Sequence, residues 1–319
     1  MKVAITGAAG YVGSLLVRAH AERGDDVYAL ARDAATIEAL PGVTRIGVDL
    51  TQPERIPASF FENADVLYHC AAEIAREPLM RPVNVDATRA LLVQAQGRIG
   101  HWVQVSSLSV YGRHRTGEVT EGSLVLPTST YGRSKAEGDA LVKTLSGGHF
   151  SYAIVRPPGV IGSHMRNQSM YGLISAVERG RFAFIGRPGA IGNFVHEDNI
   201  LEALMLSGSH AEAKQRTYNV SQNCAIEQMI AAVAGGIGRP PPHTRIPEGL
   251  ARIATHAGRI VPRFPLTPGR VDALTSRVCY PSTRIEHELG YRHRKSIEDG
   301  LRELAQIWLA GAARAQARV

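Results

Sequence analysis

The chain has 319 residues, of which 44% are hydrophobic, and a formal net charge of +7 at pH 7. This length and composition allow a substantial core, in one large domain or in one domain with an added lobe. Lysine and arginine are scattered without a recognition helix, so the charge predicts an anionic small-molecule substrate and no nucleic-acid partner. No apolar run approaches the ~18 residues of a membrane span, and the three widely spaced cysteines indicate neither a disulfide framework nor a metal site.

The first predicted element is a short apolar strand over residues 1–6, which leaves no room for a signal peptide, so we expect a cytoplasmic protein. Gly7, Gly10 and Gly13 follow this strand in a GxxGxxG spacing and lead into a helical pattern. Glycines at this spacing let the backbone turn tightly and approach a pyrophosphate, while the helix N-terminus binds its negative charge. The strand, turn and helix therefore predict a dinucleotide site.

The second predicted strand, residues 26–30, ends where a cofactor ribose would be recognised. An acidic side chain about 20 residues past the glycines binds the 2′-hydroxyl of NAD. Asp33 stands there, but Arg32 precedes it, and a guanidinium can pair with the 2′-phosphate of NADP. We therefore favour NADP(H), with NAD(H) left open by Asp33.

Two further strands end at positions suited to the same cofactor. Asp49 and Leu50 close the third predicted strand, with the carboxylate placed for the adenine amino group. The fourth strand begins at residue 64 and ends in Cys70, Ala71 and Ala72, whose small side chains would admit a cofactor. Ordinary close packing at a strand end is the alternative interpretation of these small residues.

The residues that indicate catalysis are Ser107, Tyr131 and Lys135. Tyr131 and Lys135 are four positions apart, so on a helix they lie on one face. An ammonium beside a phenol favours the phenolate. We therefore expect Lys135 to lower the pKa of Tyr131 from about 10 toward the operating range of an acid/base group. The Ser107 hydroxyl, at the end of an apolar strand, completes the set.

Strands and helices alternate over residues 1–155, which predicts an α/β fold with a doubly wound parallel sheet of Rossmann type. Residues 156–319 are more irregular and predict a smaller α+β substrate lobe with segments that return to the sheet. Helices are expected there near residues 170–180, 198–208 and 225–236. A closing segment with apolar residues at helical spacing predicts a helix that docks by its apolar face. These are Ile297, Leu301, Leu304 and Trp308.

The order of these motifs resembles that of the extended short-chain dehydrogenase/reductase superfamily over nearly the whole chain. The resemblance implies a nicotinamide cofactor, an oxidoreductase or epimerase activity, and a homodimer formed through the helices at 84–97 and 131–145. The segments that carry it are the glycine turn, Asp49-Leu50, Cys70-Ala71-Ala72, and residues 83–88, 105–112, 131–135, 156–162, 193–199 and 288–291.

The resemblance also assigns roles to individual residues. Ser107 hydrogen-bonds the substrate oxygen, Tyr131 exchanges the proton, and Lys135 also binds the nicotinamide ribose, while the cofactor carries the redox chemistry. Members that dehydrate sugars carry an Asp-Glu pair where this chain has Leu108 and Ser109, so dehydratase chemistry is not expected. The remaining implied positions are Tyr11, Val12, Pro157 and Val160 at the cofactor and Ser109 at the substrate.

Three functions remain open. The first, which we favour, is a nucleotide-sugar 4-keto reductase or epimerase. Sugar epimerases of the family bind the diphosphate with an Arg where this chain has Gly192, so Arg270 or Arg277 would have to replace it. The second is a reductase or dehydrogenase of a hydrophobic hydroxy-ketone, because residues 156–160 and 180–182 resemble segments of bacterial relatives of 3β-hydroxysteroid dehydrogenase. The third is a catalytically silent NADP(H)-sensing protein, against which the intact catalytic set argues.

Overall fold

The computed structural model of the chain describes residues 1–165, 168–257 and 266–316. Its strands are β1 (Lys2–Thr6), β2 (Asp26–Ala31), β3 (Val43–Gly47), β4 (Ala64–His69), β5 (Ile99–Val105), β6 (Thr116–Glu118), β7 (Ser151–Arg156), β8 (Gly159–Ile161), β9 (Phe184–Ile185), β10 (Ile191–His196), β11 (Arg216–Asn219), β12 (Gln222–Ala225), β13 (Arg245–Ile246) and β14 (Arg277–Cys279). Its α-helices are α1 (Tyr11–Glu22), α2 (Glu77–Arg81), α3 (Ala87–Ala95), α4 (Thr130–Leu145), α5 (Gln168–Glu178), α6 (Glu197–Ser209), α7 (Ile226–Gly236), α8 (Glu248–Ala257), α9 (Pro268–Thr275), α10 (Thr283–Leu289) and α11 (Ile297–Gln316).

The main sheet has seven strands in the order β11-β7-β5-β4-β1-β2-β3, and every neighbouring pair is parallel. Parallel neighbours require crossover connections, which place helices over both faces of the sheet. The predicted doubly wound, Rossmann-type fold is therefore confirmed. Strand β11 comes from the second half of the chain and pairs with β7. The division near residue 155 into a dinucleotide-binding domain and a substrate lobe stays a prediction.

The two faces of the sheet carry separate hydrophobic cores, because successive side chains of a strand point to opposite faces. In β1, Val3 and Ile5 belong to a core that also contains Leu16 of α1. Ala4 belongs to the core on the other face, together with Leu91 of α3. Helix α4 contributes to this second core, so packing against the sheet fixes the position of the helix that carries the predicted catalytic pair.

The second half of the chain builds three smaller sheets and a third core. The sheets are β12-β10-β8, β13-β9 and β14-β6. The three helices expected there are α5, α6 and α7. In the closing helix α11, Ile297, Leu301 and Leu304 are buried in the third core, which confirms the predicted docking of its apolar face.

Contact between glycines shapes the turn after β1. Gly7 has a φ of +67°, which favours glycine, and a Cβ on it would lie 2.7 Å from the backbone of Ala71. A Cβ on Gly13 would overlap the carbonyl oxygen of Gly7. The turn and the first turn of α1 therefore pack too closely for any larger residue at these two positions.

Replacing Gly13 with alanine should destabilise the fold, because the added methyl group overlaps the Gly7 carbonyl. Overpacking costs about 1–3 kcal/mol, and we expect urea-induced unfolding to give a free energy of unfolding lower by this amount. Gly235→Ala in α7 is the matched control, because a methyl group there meets no atom within 4 Å. An equal loss of stability in both variants would contradict this description of the turn.

Candidate active site

The glycine turn ends at the N-terminus of α1. Gly10 is the N-cap residue, and no side chain caps the helix. The Gly10 N–H donates to the Gly7 carbonyl at 2.8 Å, which holds the turn closed. The first N–H groups of an α-helix have no partner within the helix, and the helix dipole attracts anions to them. The close backbone approach and these N–H groups fit the pyrophosphate of a dinucleotide.

A cleft of about 440 Å³ lies beside this turn, at the carboxyl ends of β1, β2 and β4. Ligands of open α/β sheets bind at the carboxyl ends of the strands. The predicted cofactor residues that line the cleft are Gly7, Gly10, Arg32, Asp49, Leu50, Cys70, Ala71 and Ala72.

Strand β3 ends at Gly47, so Asp49 lies in the loop beyond it and not at the end of the strand as predicted. The Asp49 carboxylate accepts hydrogen bonds from the backbone N–H and the hydroxyl of Thr51, both at 2.9 Å. The backbone hydrogen bond is the main reason why the pKa of Asp49 is lowered, and the charge of Arg32 contributes. The wall of the cleft therefore carries a fixed negative charge beside an exposed guanidinium.

The other predicted cofactor residues lie outside the residues that line this cleft. The Tyr11 phenol donates to the Glu197 carboxylate at 2.7 Å, and Tyr11 lines a second, smaller cleft beside the same turn. The side chains of Val12 and Val160 pack against the first core of the sheet. Pro157 is buried, and its carbonyl accepts from Leu108 N–H at 3.0 Å. These positions shape the backbone around the cleft.

The predicted catalytic residues come together where β5 and α4 meet. Ser107 lies two residues past the end of β5, and its hydroxyl accepts from the Ser109 N–H at 3.2 Å. Tyr131 lies in the first turn of α4, which Ser129 caps by accepting from the Gly132 N–H at 3.0 Å. The Ser107 hydroxyl is also close enough to the Tyr131 phenol to lower its pKa. The Ser129 cap of α4 and the end of β5 therefore bring the Ser107 and Tyr131 hydroxyl groups together.

Lys135 follows one helical turn later and is 3% exposed. Its ammonium donates to the Val105 carbonyl at 2.6 Å, which ties α4 to the end of β5. Burial lowers the pKa of Lys135 and raises the pKa of Tyr131, and the nearby Ser107 hydroxyl only partly offsets the rise at Tyr131. The prediction that Lys135 lowers the pKa of Tyr131 is therefore wrong for the protein alone. Burial of the phenol has the larger effect, and the ammonium is directed to a backbone carbonyl.

Asn84 is a site residue that sequence reasoning missed. It lies in a π-helical turn, Pro82–Asp86. Its side-chain oxygen accepts from the Glu73 N–H at 2.7 Å, and its side-chain nitrogen donates to the Glu73 carbonyl at 2.9 Å. The same amide donates to the Ser134 hydroxyl on α4 at 2.9 Å. Asn84 thus connects the loop that lines the cofactor cleft to the helix that carries Tyr131. π-helical turns are frequent at functional sites. Residues 83–88 carry part of the family resemblance, but the resemblance assigned no role to Asn84 within them.

An ion pair between Asp139 and Arg156 was also missed. Asp139 lies on α4 one turn after Lys135, and Arg156 ends β7. Their charged atoms are 3.0 Å apart, and both side chains are buried. The available sequence signals were the spacing of four residues from Lys135 and a charged residue at the end of an apolar strand.

The three predicted substrate residues, Ser109, Arg270 and Arg277, have different surroundings. The Arg277 guanidinium donates to the carbonyls of Arg187 and Pro188, both at 2.9 Å. Arg270 is exposed in the first turn of α9. The Ser109 hydroxyl is buried and has no hydrogen-bond partner among the described residues. A Cβ on Gly192 would overlap the sulfur of Met229, so a larger residue at this position would require the Met229 side chain to move.

In the described part of the chain, no helix combines the length and apolar character needed to cross a bilayer.

Comparison with known proteins agrees with this site. Residues 3–221 match the profile of the NAD dependent epimerase/dehydratase family. A 4-hydroxy-2-methyl-3-oxo-4-farnesyl-3,4-dihydroquinoline-1-oxide ketoreductase of Stigmatella aurantiaca is 27% identical over 98% of both chains. Sterol demethylase protein B of Methylococcus capsulatus is 30% identical over 78% of this chain and 79% of its own.

A similar fold is found in the NAD complex of UDP-glucuronic acid 4-epimerase from Bacillus cereus. The TM-score is 0.76 at 19% identity, and the match covers 97% of this chain and 100% of the epimerase. The sheet, the glycine turn and the family profile together identify the chain as an NAD-dependent oxidoreductase or epimerase. The predicted resemblance is thereby confirmed: the chain belongs to the NAD dependent epimerase/dehydratase family.

Proposed function

We propose that the protein is an NADP(H)-dependent reductase or dehydrogenase of a hydrophobic hydroxy-ketone, with Tyr131 as the proton-exchanging residue. The observation that carries this proposal is the meeting of Ser107, Tyr131 and Lys135 at the junction of β5 and α4. The nicotinamide would supply or accept the hydride. Ser107 would orient the substrate oxygen, and Tyr131 would exchange a proton with it.

The raised pKa of Tyr131 favours the reductive direction. Burial disfavours the phenolate, so the phenol keeps its proton at neutral pH. A protonated phenol beside the Ser107 hydroxyl can act as a general acid for a carbonyl oxygen that gains negative charge. We therefore propose that ketone reduction is the faster direction at neutral pH.

Two contacts argue against a nucleotide-sugar substrate, which the sequence alone had favoured. The position that carries the diphosphate-binding Arg in sugar epimerases is Gly192, and Met229 fills the space beside it. Arg277, one of the two proposed replacements, is bound to backbone carbonyls of the 187–188 turn. A diphosphate would have to displace these contacts before it could be bound there.

Exposed apolar side chains in the segments that follow β4 and precede α4 support a hydrophobic substrate. Ile74 is 70% exposed, Leu124 is 75% exposed and Leu126 is 61% exposed. Ile74 follows β4, and the two leucines precede α4 in the segment that follows β5. Strands β4 and β5 are parallel neighbours, so both segments leave the same edge of the sheet, on which Tyr131 also lies. A hydrophobic substrate would cover this surface.

The sequence relatives point in the same direction. The names of the two enzymes described above concern a farnesylated dihydroquinoline oxide and a sterol, both of which are largely hydrocarbon. The solved epimerase acts on a nucleotide sugar, but at 19% identity the similarity supports only the fold.

Arg32 and Asp33 both line the cleft, and NADP(H) is proposed as the cofactor because one oxygen of the Asp33 carboxylate already accepts a backbone hydrogen bond. The Asp33 carboxylate accepts from the Ala35 N–H at 2.9 Å and caps a short helical turn. This contact competes with a ribose 2′-hydroxyl for the carboxylate. Arg32 is exposed at the end of β2, where a guanidinium can pair with a 2′-phosphate.

Replacing Tyr131 with phenylalanine should lower kcat for ketone reduction by roughly 10²- to 10⁴-fold, the usual contribution of a general acid. NADPH affinity, measured by fluorescence titration, should stay the same, because the phenol oxygen is lost and the packing is kept. Tyr152→Phe is the matched control, since Tyr152 lies at the amino end of β7, away from the carboxyl edge of the sheet. Unchanged turnover in Tyr131→Phe would refute the assignment.

Replacing Arg32 with alanine should weaken NADPH binding by about 10- to 100-fold, because a charge-assisted hydrogen bond contributes about 1.5–3 kcal/mol. NADH binding should change little, since NADH has no 2′-phosphate. Calorimetric titration with each cofactor measures this difference. Arg55→Ala is the control, because Arg55 is exposed and lies outside the residues that line the cleft. Equal losses for both cofactors would show that Arg32 does not contact the 2′-phosphate.

Replacing Leu126 with glutamine should raise KM for a sterol-type ketone by roughly 5- to 30-fold, from the loss of about 1–2 kcal/mol of apolar contact. A short, water-soluble ketone should keep its KM, because it does not reach this surface. Ile307→Gln on α11 is the control, since Ile307 is also exposed but belongs to the closing helix.

The nucleotide-sugar alternative predicts that the protein binds UDP. UDP would then bind to the wild-type protein in a calorimetric titration, and Arg270→Ala or Arg277→Ala would remove this binding. We expect no UDP binding in any of the three proteins.

A further inference from the structure

Asp139 and Arg156 form a buried ion pair directly behind the catalytic residues. Their side chains are 4% and 3% exposed. One carboxylate oxygen, Oδ2, accepts from Arg156 Nε at 3.1 Å, from Arg156 Nη2 at 3.0 Å and from the Ser106 hydroxyl at 2.9 Å. Arg156 Nη1 donates to the Tyr111 hydroxyl at 2.8 Å, and that hydroxyl donates to Asn219. The pair is therefore held rigidly between α4, β7 and the segment after β5.

The second carboxylate oxygen of Asp139, Oδ1, has different surroundings from Oδ2. Oδ1 is buried and accepts no hydrogen bond from any described residue. A buried acceptor without a partner is costly and calls for a reason. Asp139 lies one turn after Lys135 and two turns after Tyr131, so the three side chains leave α4 on one face. Its negative charge acts on both of these groups.

Asp139 is the anion that faces Lys135. A buried ammonium is unfavourable unless a negative charge or good acceptors compensate it. The Lys135 ammonium donates to the Val105 carbonyl, which is neutral. Of the titratable neighbours, burial raises the pKa of Cys70 to about 12 and lowers the pKa of His69 to about 3, so both are uncharged at neutral pH. The charge balance of the site therefore depends on Asp139 and its partner Arg156.

We propose that Asp139 is a positioning residue for proton transfer, whose carboxylate keeps the Lys135 ammonium and the Tyr131 phenol protonated, while Arg156 limits the strength of this effect. The proposal rests on the proposed function, because it requires Tyr131 as the group that exchanges the proton. It also gives a reason for the reductive direction, since the same negative charge keeps the proton on the donor.

The two partners of the ion pair should act in opposite directions. A negative charge opposes the loss of a proton from either group, so its removal in Asp139→Asn lets Tyr131 and Lys135 deprotonate at lower pH. Removal of the positive charge in Arg156→Gln leaves the carboxylate unopposed, so deprotonation moves to higher pH. If the ion pair were merely structural, both variants would lose activity, but the pH at which the site loses its proton would not move in opposite directions.

The experiment measures the pH dependence of kcat for ketone reduction at saturating NADPH. The midpoint of the alkaline limb should move down by about one pH unit in Asp139→Asn and up by about one pH unit in Arg156→Gln. Asp139→Glu keeps the charge and should restore the midpoint toward that of the wild-type protein. Movement of both midpoints in the same direction, or of neither, would overturn the proposal.

A double variant keeps the test independent of the stability of the single variants. Either single substitution leaves a buried charge without its partner, which destabilises a protein strongly. The double variant Asp139→Asn/Arg156→Gln removes both charges, and its midpoint should lie between those of the single variants. A midpoint outside that interval would contradict the proposal.

Ionisation of the phenol can also be followed without turnover, by the ultraviolet absorbance of each protein against its own Tyr131→Phe counterpart. The opposite shifts should appear there as well. If these shifts appear while Tyr131→Phe keeps full turnover, the electrostatic role of Asp139 stands and the proposed function fails. If Tyr131→Phe is inactive and the shifts are absent, the proposed function stands and the role of Asp139 fails.

Discussion

The burial of the Lys135 ammonium is the constraint on which the site depends. A charged group in the interior needs fixed partners, and the Val105 carbonyl at 2.6 Å is one of them. This contact joins α4, which carries the proposed catalytic residues Tyr131 and Lys135, to the end of β5, and Ser107 follows two residues later. The phenol of Tyr131, one turn earlier on the same helix, is thereby brought to the Ser107 hydroxyl. A less buried lysine would leave these elements without a common anchor.

The parallel sheet supplies the second part of the arrangement. Because all seven strands run in one direction, the glycine turn after β1, the small residues after β4 and Ser107 after β5 lie along one edge. Asn84 connects the segment after β4 to helix α4, since its amide bonds Glu73 beside the cofactor cleft and Ser134 on α4. The Asn84 side-chain amide therefore links the wall of the cofactor cleft to α4 by hydrogen bonds.

Much of this could be predicted from the sequence because the signals are local. The GxxGxxG turn, the spacing of Tyr131 and Lys135, and the apolar spacing of α11 each depend on a few consecutive residues. The direction of the Tyr131 pKa shift could not be predicted, because burial depends on packing by distant segments and here exceeds the effect of the neighbouring charge. Asp139 and Arg156 each carry a local signal, but their pairing depends on how α4 packs against β7, which the sequence does not show. The contact of Gly192 with Met229 depends on how α7 packs on β10.

The central claim is that the protein transfers hydride to a hydrophobic ketone at the site built around Tyr131. The most direct measurement uses NADPH deuterated at the nicotinamide carbon that gives up the hydride, with a sterol-type ketone as substrate. Mass spectrometry of the product should find an alcohol with one deuterium on the carbinol carbon. An unchanged ketone, together with epimerisation of a UDP-sugar by the same preparation, would contradict the account.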